Sequence, residues 1–112
     1  MSQFNLQHPY FIHIKNGAKT AEGRIAKEKY LNLKNGDKIE FISNKTNEKI
    51  GAIVTGVNKY KSFGEMLNAE GLKTMLPDID SMDKGVAIYE SFGDFKTDVI
   101  KKGCVSIRFK IN

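Results

Sequence analysis

The chain has 112 residues, 40% of them hydrophobic, which suffices for one modest core and a single domain over residues 1–112 but not for separate cofactor and substrate domains. Its one cysteine, Cys104, can form no internal disulfide, its first residues carry no signal-peptide pattern, and no apolar run reaches membrane-spanning length, so a disulfide scaffold and a transmembrane protein are excluded and a reducing, cytoplasmic setting is expected. The net charge of +5 is uneven, because residues 1–61 carry 11 Lys/Arg against 5 Asp/Glu whereas residues 62–112 carry 7 against 8. A positive region of this kind concentrates polyanions and favours RNA or DNA over a membrane surface, since no long basic amphipathic helix accompanies it; solubility alone is the competing explanation.

Taken in chain order, Phe4-Asn5-Leu6 predicts a short first strand. Pro9 then sits at a first-turn position, so a helix is expected over 9–16 with Tyr10, Phe11 and Ile14 inward and Gly17 as its stop. Residues 19–25 can pair as a strand. The following stretch, 26–34, reads as a connection anchored by Tyr30, Leu31 and Leu33, and Asn35-Gly36-Asp37 marks a turn. Lys38 to Ile42 alternates as a strand, 44–48 is a polar hairpin loop, and 50–60 is the returning strand, bent at Gly51 and Gly56.

Ser62 and Glu65 have capping-box spacing, which starts a helix with Phe63, Met66 and Leu67 inward and Gly71 at its end. Residues 72–76 form a short turn before Pro77. Asp78, Asp80 or Ser81 can cap a helix over about 82–92, with Met82, Val86 and Tyr89 on one face. Gly93 and Gly103 bracket a connection. The closing run from Val105 to Ile111 alternates without fault, placing Val105, Ile107, Phe109 and Ile111 toward the core and Cys104, Ser106, Arg108 and Lys110 on a polar face. Strands not interleaved one-to-one with long helices argue against a doubly wound sheet and for an α+β class, a small curved or barrel-like mixed sheet with about three short helices.

The densest chemistry lies in Gly17-Ala18-Lys19-Thr20-Ala21-Glu22-Gly23-Arg24. Only Arg24 and Arg108 are arginines; the other 16 basic residues are lysines. A guanidinium presents a planar fork suited to phosphate, carboxylate or base edges. Glu22 and Arg24 share a face of an extended segment, whereas Lys19 and Glu22, three apart, converge only around a turn or bulge, for which Gly23 is the candidate. A surface charge pair beside a turn is the competing structural reading.

These residues, as Gly17-x-Lys19-x-x-Glu22-x-Arg24 followed by Leu33-Lys34-x-Gly36-Asp37-x-Ile39-x-Phe41, resemble the ASCH domain family of the PUA-like superfamily. Tyr60-x-Ser62-Phe63, Glu70-Gly71, Pro77, Gly85-Val86 with Tyr89, and the last strand extend the likeness over nearly the whole chain. The resemblance implies a small mixed β-barrel flanked by helices, with a cleft beside the motif that binds RNA or nucleotide-like ligands. Some small bacterial members resemble amidohydrolases that deacylate N4-acylated cytidine, using a motif lysine, a threonine nucleophile three residues on and a glutamate from the later helix. Carried onto this chain, the lysine is Lys19, the later glutamate falls on Glu70, and the threonine position holds Glu22. A carboxylate does not replace a hydroxyl nucleophile in amide cleavage, and Thr20 adjoins Lys19 instead of lying three beyond it.

The reading that follows is a cleft in which Arg24 forks onto a phosphate or carbonyl, Lys19 adds a point charge, Glu22 accepts from an exocyclic amine, and Arg108 extends the basic surface. If the protein is an enzyme, Lys19, Glu22 and Glu70 are its catalytic candidates, as an amidohydrolase or a ribonuclease; a noncatalytic protein-interaction module is the third possibility. Tyr60, Phe92 and Phe95 can stack on a base, whereas Tyr10, Phe11, Phe41, Phe63, Tyr89 and Phe109 read as core. His8 and His13 are five apart and lack metal-ligand spacing, so no metal and no cofactor are expected, and a monomer is favoured.

Overall fold

A computed structural model describes residues Met1–Asn112. Five strands, β1 (Ser2–Leu6), β2 (Ala21–Ile25), β3 (Lys38–Ser43), β4 (Lys49–Tyr60) and β5 (Cys104–Ile111), form one sheet in the order β1-β3-β4-β5-β2. Only β1 and β3 run parallel; every other pair is antiparallel. The sheet curls into a half-barrel, not a closed one, because β1 and β2 are its two edges and do not pair. Bending comes from β4, whose register against β5 slips between Val54 and Gly56, where the expected glycine bend lies.

The half-barrel has a core on each side of β5. Inside the curve, Phe4, Phe11, Ile14, Phe41, Ile107 and Phe109 pack together with α1 (His8–Lys15) and Tyr30 of α2 (Glu28–Leu31). Phe41 is completely buried and rests on Phe109 with ring centroids 4.6 Å apart; burying a phenyl ring of this kind contributes roughly 1.5–3 kcal/mol. On the other side, Ala21, Ile25 and Cys104 meet Phe63, Met66, Leu67 and Tyr89 beneath a layer of helices, α3 (Phe63–Glu70), α4 (Leu72–Met75), α5 (Met82–Glu90) and α6 (Phe95–Lys102). Cys104 and Ser106 are therefore buried, contrary to a polar outer face for that side of β5.

Helix starts follow their caps: Ser62 Oγ accepts from the Glu65 amide at 3.1 Å and Ser81 Oγ from the Lys84 amide at 3.2 Å. Six helices stand where about three were expected. Two of the additions, α2 and α4, are single turns of four residues, too short for a periodic apolar pattern. The third, α6, occupies the stretch between Gly93 and Gly103; only Phe95 and Val99 point to the core, and Ile100 is 83% exposed, so the helical period is masked. Gly103 ends α6 at φ +75°, and a Cβ there would lie 2.5 Å from the Tyr60 carbonyl oxygen, so the join into β5 demands glycine. No helix is long and apolar enough to cross a membrane.

Candidate functional site

The site forms at the free edge of β2, where the chain comes off α1 through residues 16–20. Lys19 precedes the strand, its amide donating to the His13 carbonyl at 2.9 Å, and its side chain turns inward until it is 1% exposed. The ammonium donates to the carbonyls of Ala21 at 2.8 Å and Met75 at 2.6 Å and lies 3.2 Å from Glu22 Oε1. Three acceptors thus meet its three protons. Burial pushes the Lys19 ammonium below its ordinary value, and Glu22 only partly opposes this. The expected convergence of Lys19 and Glu22 is real, but it arises in the connection before the strand, and Gly23 pairs regularly with Ser106.

Glu22 and Arg24 follow on one face of β2. Arg24 Nη2 donates to Glu22 Oε2 at 3.0 Å and to the Asn5 carbonyl of β1 at 3.1 Å, and its guanidinium carbon stands 5.1 Å from the Phe4 ring centroid. Burial raises the Glu22 carboxyl, yet the two cations more than offset it and hold it below the ordinary carboxylate value. Two positive groups and one negative share the site, leaving one positive charge in excess. Glu22 Oε1 is engaged by Lys19 and by the Gly23 amide at 3.1 Å, while Oε2 has only Arg24 and retains a free lone pair.

This ion-paired row borders a cavity of about 210 Å³ between the edge strands β1 and β2. Asn5, Leu6 and Gln7 form one side, Glu22, Gly23 and Arg24 the other, and Tyr10, Tyr89, Phe92 and Phe95 make an aromatic roof beside Leu76. Phe92 joins that roof edge-on, with centroids 6.0 Å from Tyr10, 5.9 Å from Tyr89 and 5.8 Å from Phe95. Phe92 and Phe95 thus sit where a ring could stack on them. Tyr10 and Tyr89, read as core from their spacing, line the cavity as well; the signal that could have marked them is a phenol at positions where phenylalanine would pack equally well.

Tyr89 lies directly over Gly23. A Cβ at Gly23 would fall 2.9 Å from Tyr89 Cε1 and 2.8 Å from Met66 Cε, so glycine is required here for close approach of the helix layer. Tyr89 is 2% exposed, and its hydroxyl, beside the Gly23 amide that donates to Glu22 Oε1, has no acceptor for its proton.

Glu70 and Arg108 lie elsewhere. Glu70, at the end of α3, receives Arg108 Nε at 2.5 Å, the Tyr60 hydroxyl at 2.5 Å and Asn58 Nδ2 at 3.3 Å. Arg108 pairs in register with Ala21 and shares its strand face with Ser106 opposite Gly23, the face turned to the helices, whereas Glu22 and Arg24 project from the other face. Neither Glu70 nor Arg108 lines the cavity, and the structure does not bring Glu70 to Lys19. Tyr60 is tied to this second cluster, where burial and its bond to Glu70 push its phenol up to about 12. Thr20 is exposed at the surface and is not part of the cavity wall.

A separate open cleft runs along the end of α6, where Lys59, Lys61, Lys101 and Lys102 surround Tyr60 and Ile100 with Glu65 as the one acidic residue. His8 Nδ1 lies 2.8 Å from Ser43 Oγ and His13 Nε2 lies 3.8 Å from Asp78 Oδ1, and no three His, Cys, Asp or Glu side chains are grouped to hold a metal ion.

A five-stranded mixed half-barrel with six helices packed against its two faces is consistent with the PUA-like ASCH fold. The ASCH domain family matches residues 4–106, and the chain belongs to that family. Hypothetical protein PH0355 is 35% identical, with 98% of this chain aligned to 97% of that one and a TM-score of 0.86. Protein PF0455 from Pyrococcus furiosus is 34% identical, over 98% of this chain and 96% of its own, with a TM-score of 0.76. ASCH from Zymomonas mobilis shares the fold at 12% identity and a TM-score of 0.64, covering 96% of this chain and 65% of that chain. No curated protein matches the sequence.

Proposed function

We propose that this ASCH domain binds RNA or a modified nucleoside by admitting one base into the cavity between β1 and β2. The observation that carries this reading is the meeting of a buried Lys19-Glu22-Arg24 row with an aromatic roof around a hollow of about 210 Å³. That volume is below the ~300 Å³ at which pockets begin to enclose drug-sized ligands, which suits a single ring. The Glu22 Oε2 lone pair can accept from an exocyclic amine, and the Arg24 N–H groups not used on Asn5 and Glu22 can donate to a carbonyl or phosphate at the rim. Aromatic rings at the roof offer stacking, worth roughly 1–3 kcal/mol per base. The lysines of the α6 cleft offer phosphate contacts for a longer chain.

Binding is favoured over catalysis because every proton of Lys19 is already matched to an acceptor, the nucleophile position holds Glu22, and Thr20 stands outside the cavity. Calorimetric titration with ribonucleosides and anisotropy with short single-stranded RNAs test this. The expected result is binding that is lost in Arg24→Ala and, for RNA, weakens steeply with salt. Turnover of N4-acylated cytidine or cleavage of RNA by the wild type would overturn the binding-only reading, and no binding of any nucleoside or RNA would overturn both.

A further inference from the structure

The Tyr89 phenol is packed as a core ring would be, stacked on Phe63 with centroids 5.3 Å apart and pressed against Gly23. A phenylalanine would make all of those contacts. The added hydroxyl is nonetheless buried without a partner, at a place where most buried polar groups are satisfied. Ser106 Oγ is the other buried hydroxyl without a bond, but it lies beside the Glu70 carboxylate, an acceptor within its reach; the polar neighbour of the Tyr89 hydroxyl is the Gly23 amide, itself a donor, so the phenol proton has no acceptor, and Tyr89 borders the cavity. A polar group kept at a cost to the empty protein, at the wall of a ligand-sized hollow, has the character of a group whose partner arrives with the ligand.

We infer that Tyr89 is a specificity-determining residue, whose hydroxyl donates a hydrogen bond to an acceptor atom, a ring nitrogen or carbonyl oxygen, of the single planar heterocycle bound in the cavity. This rests on the nucleoside reading above and adds to it the polarity of the bound edge. Tyr89 supplies the donor and Glu22 Oε2 the open acceptor, so the site selects a ring that presents an acceptor and a donor N–H over a ring with neither. The phenol is protonated at neutral pH already at its ordinary value of 10.0, and burial raises it further, so the donor is in place.

The test compares wild type with Tyr89→Phe in two measurements. Without ligand, the variant is expected to melt no lower than wild type, because it loses a hydroxyl that has no bond. In calorimetric titrations with the four ribonucleosides, the nucleoside that binds wild type most tightly is expected to lose about five- to tenfold in affinity. A phenyl riboside, which has the ring but no ring acceptor, is expected to bind both proteins equally, closing a double-mutant cycle on the hydroxyl. Equal affinity of the two proteins for the nucleoside, an equal loss for the phenyl riboside, or a lower melting temperature of the variant would each overturn the assignment while leaving the nucleoside site standing. Failure of every nucleoside to bind wild type would instead overturn the site itself and this role with it.

Discussion

The guanidinium of Arg24 on β2 reaches the Asn5 carbonyl on β1 at 3.1 Å, so one side chain bridges the two edges that the backbone leaves unpaired. Open strand edges invite pairing with other chains, and here the gap is spanned by a charged fork that also holds Glu22. The same contact defines the mouth of the cavity. Removing it should therefore affect both the sheet and the site.

Arg24→Ala is expected to destabilise the fold by about 2–3 kcal/mol, from loss of charge-assisted hydrogen bonds and the contact with Phe4. Arg24→Lys should recover only part of this, because an ammonium cannot present a planar fork to two acceptors. Urea denaturation checks both; a loss below about 0.5 kcal/mol for Arg24→Ala would mean the bridge is incidental.

Lys19→Met should cost about 3–5 kcal/mol, because it strips the carbonyls of Ala21 and Met75 of a donor and leaves Glu22 with one counter-ion in place of two. Adding Glu22→Gln should return part of the loss, a positive coupling readable in a double-mutant cycle. Strictly additive losses would show that the pair is not energetically linked. Any activity assay on a Lys19 variant therefore needs a folded-fraction control.

Acid should unfold the protein through Glu22 and Glu70. Both carboxyls are raised by burial and then carried below their ordinary 4.5 by their partners, Lys19 and Arg24 for Glu22, Tyr60 and Arg108 for Glu70. The unfolded chain then binds more protons, so their contribution is complete above about pH 4.5 and disappears as pH falls through the folded values. At the alkaline end, Tyr60 and Cys104 are both raised to about 12, so their contribution is full below the ordinary 10.0 and 9.0 and is lost as pH climbs toward 12. Lys19, lowered by burial, runs the other way and softens that alkaline loss. Melting curves across pH should show a shallower acid limb in Glu22→Gln; an acid limb identical to wild type would remove Glu22 from the account.

Gly23→Ala is expected to lose about 1–3 kcal/mol through overpacking, since its methyl would meet Tyr89 and Met66 at under 3 Å. Met66 can swing its terminal methyl aside; the Tyr89 ring cannot move without disturbing Phe63 and Phe92. Nucleoside affinity should fall along with stability. Unchanged melting together with unchanged affinity would show that α5 yields freely.

Cys104 should react slowly with a thiol reagent in the native state and fully in urea. Its side chain is 0% exposed, and burial lifts the thiol to about 12, so the nucleophilic thiolate is scarce at neutral pH. Rapid labelling of native protein would contradict that burial.

The strands β3, β4 and β5 and the starts of α3 and α5 were legible because each carries a local signal, alternation in the strands and Ser62 or Ser81 at the caps. The helix α6 was not, since two inward residues among eight carry too weak a period. Lys19, Glu22 and Arg24 could be picked out as a group, being close in sequence and of rare composition.

What residue order determined by itself was which segments become strands, where the main helices begin, and which three charged side chains stand close together in the chain, because those depend on period, caps and short spacing; their meeting in one buried row was settled by the fold. What only the tertiary structure decided was that the barrel stays open between β1 and β2, that Glu70 joins Arg108 on the opposite strand face, and that a tyrosine 66 positions from Gly23 covers it and lines the cavity with its hydroxyl buried. Those outcomes are set by contacts between residues distant in the chain, where sheet order and helix packing, not local propensity, choose the neighbours.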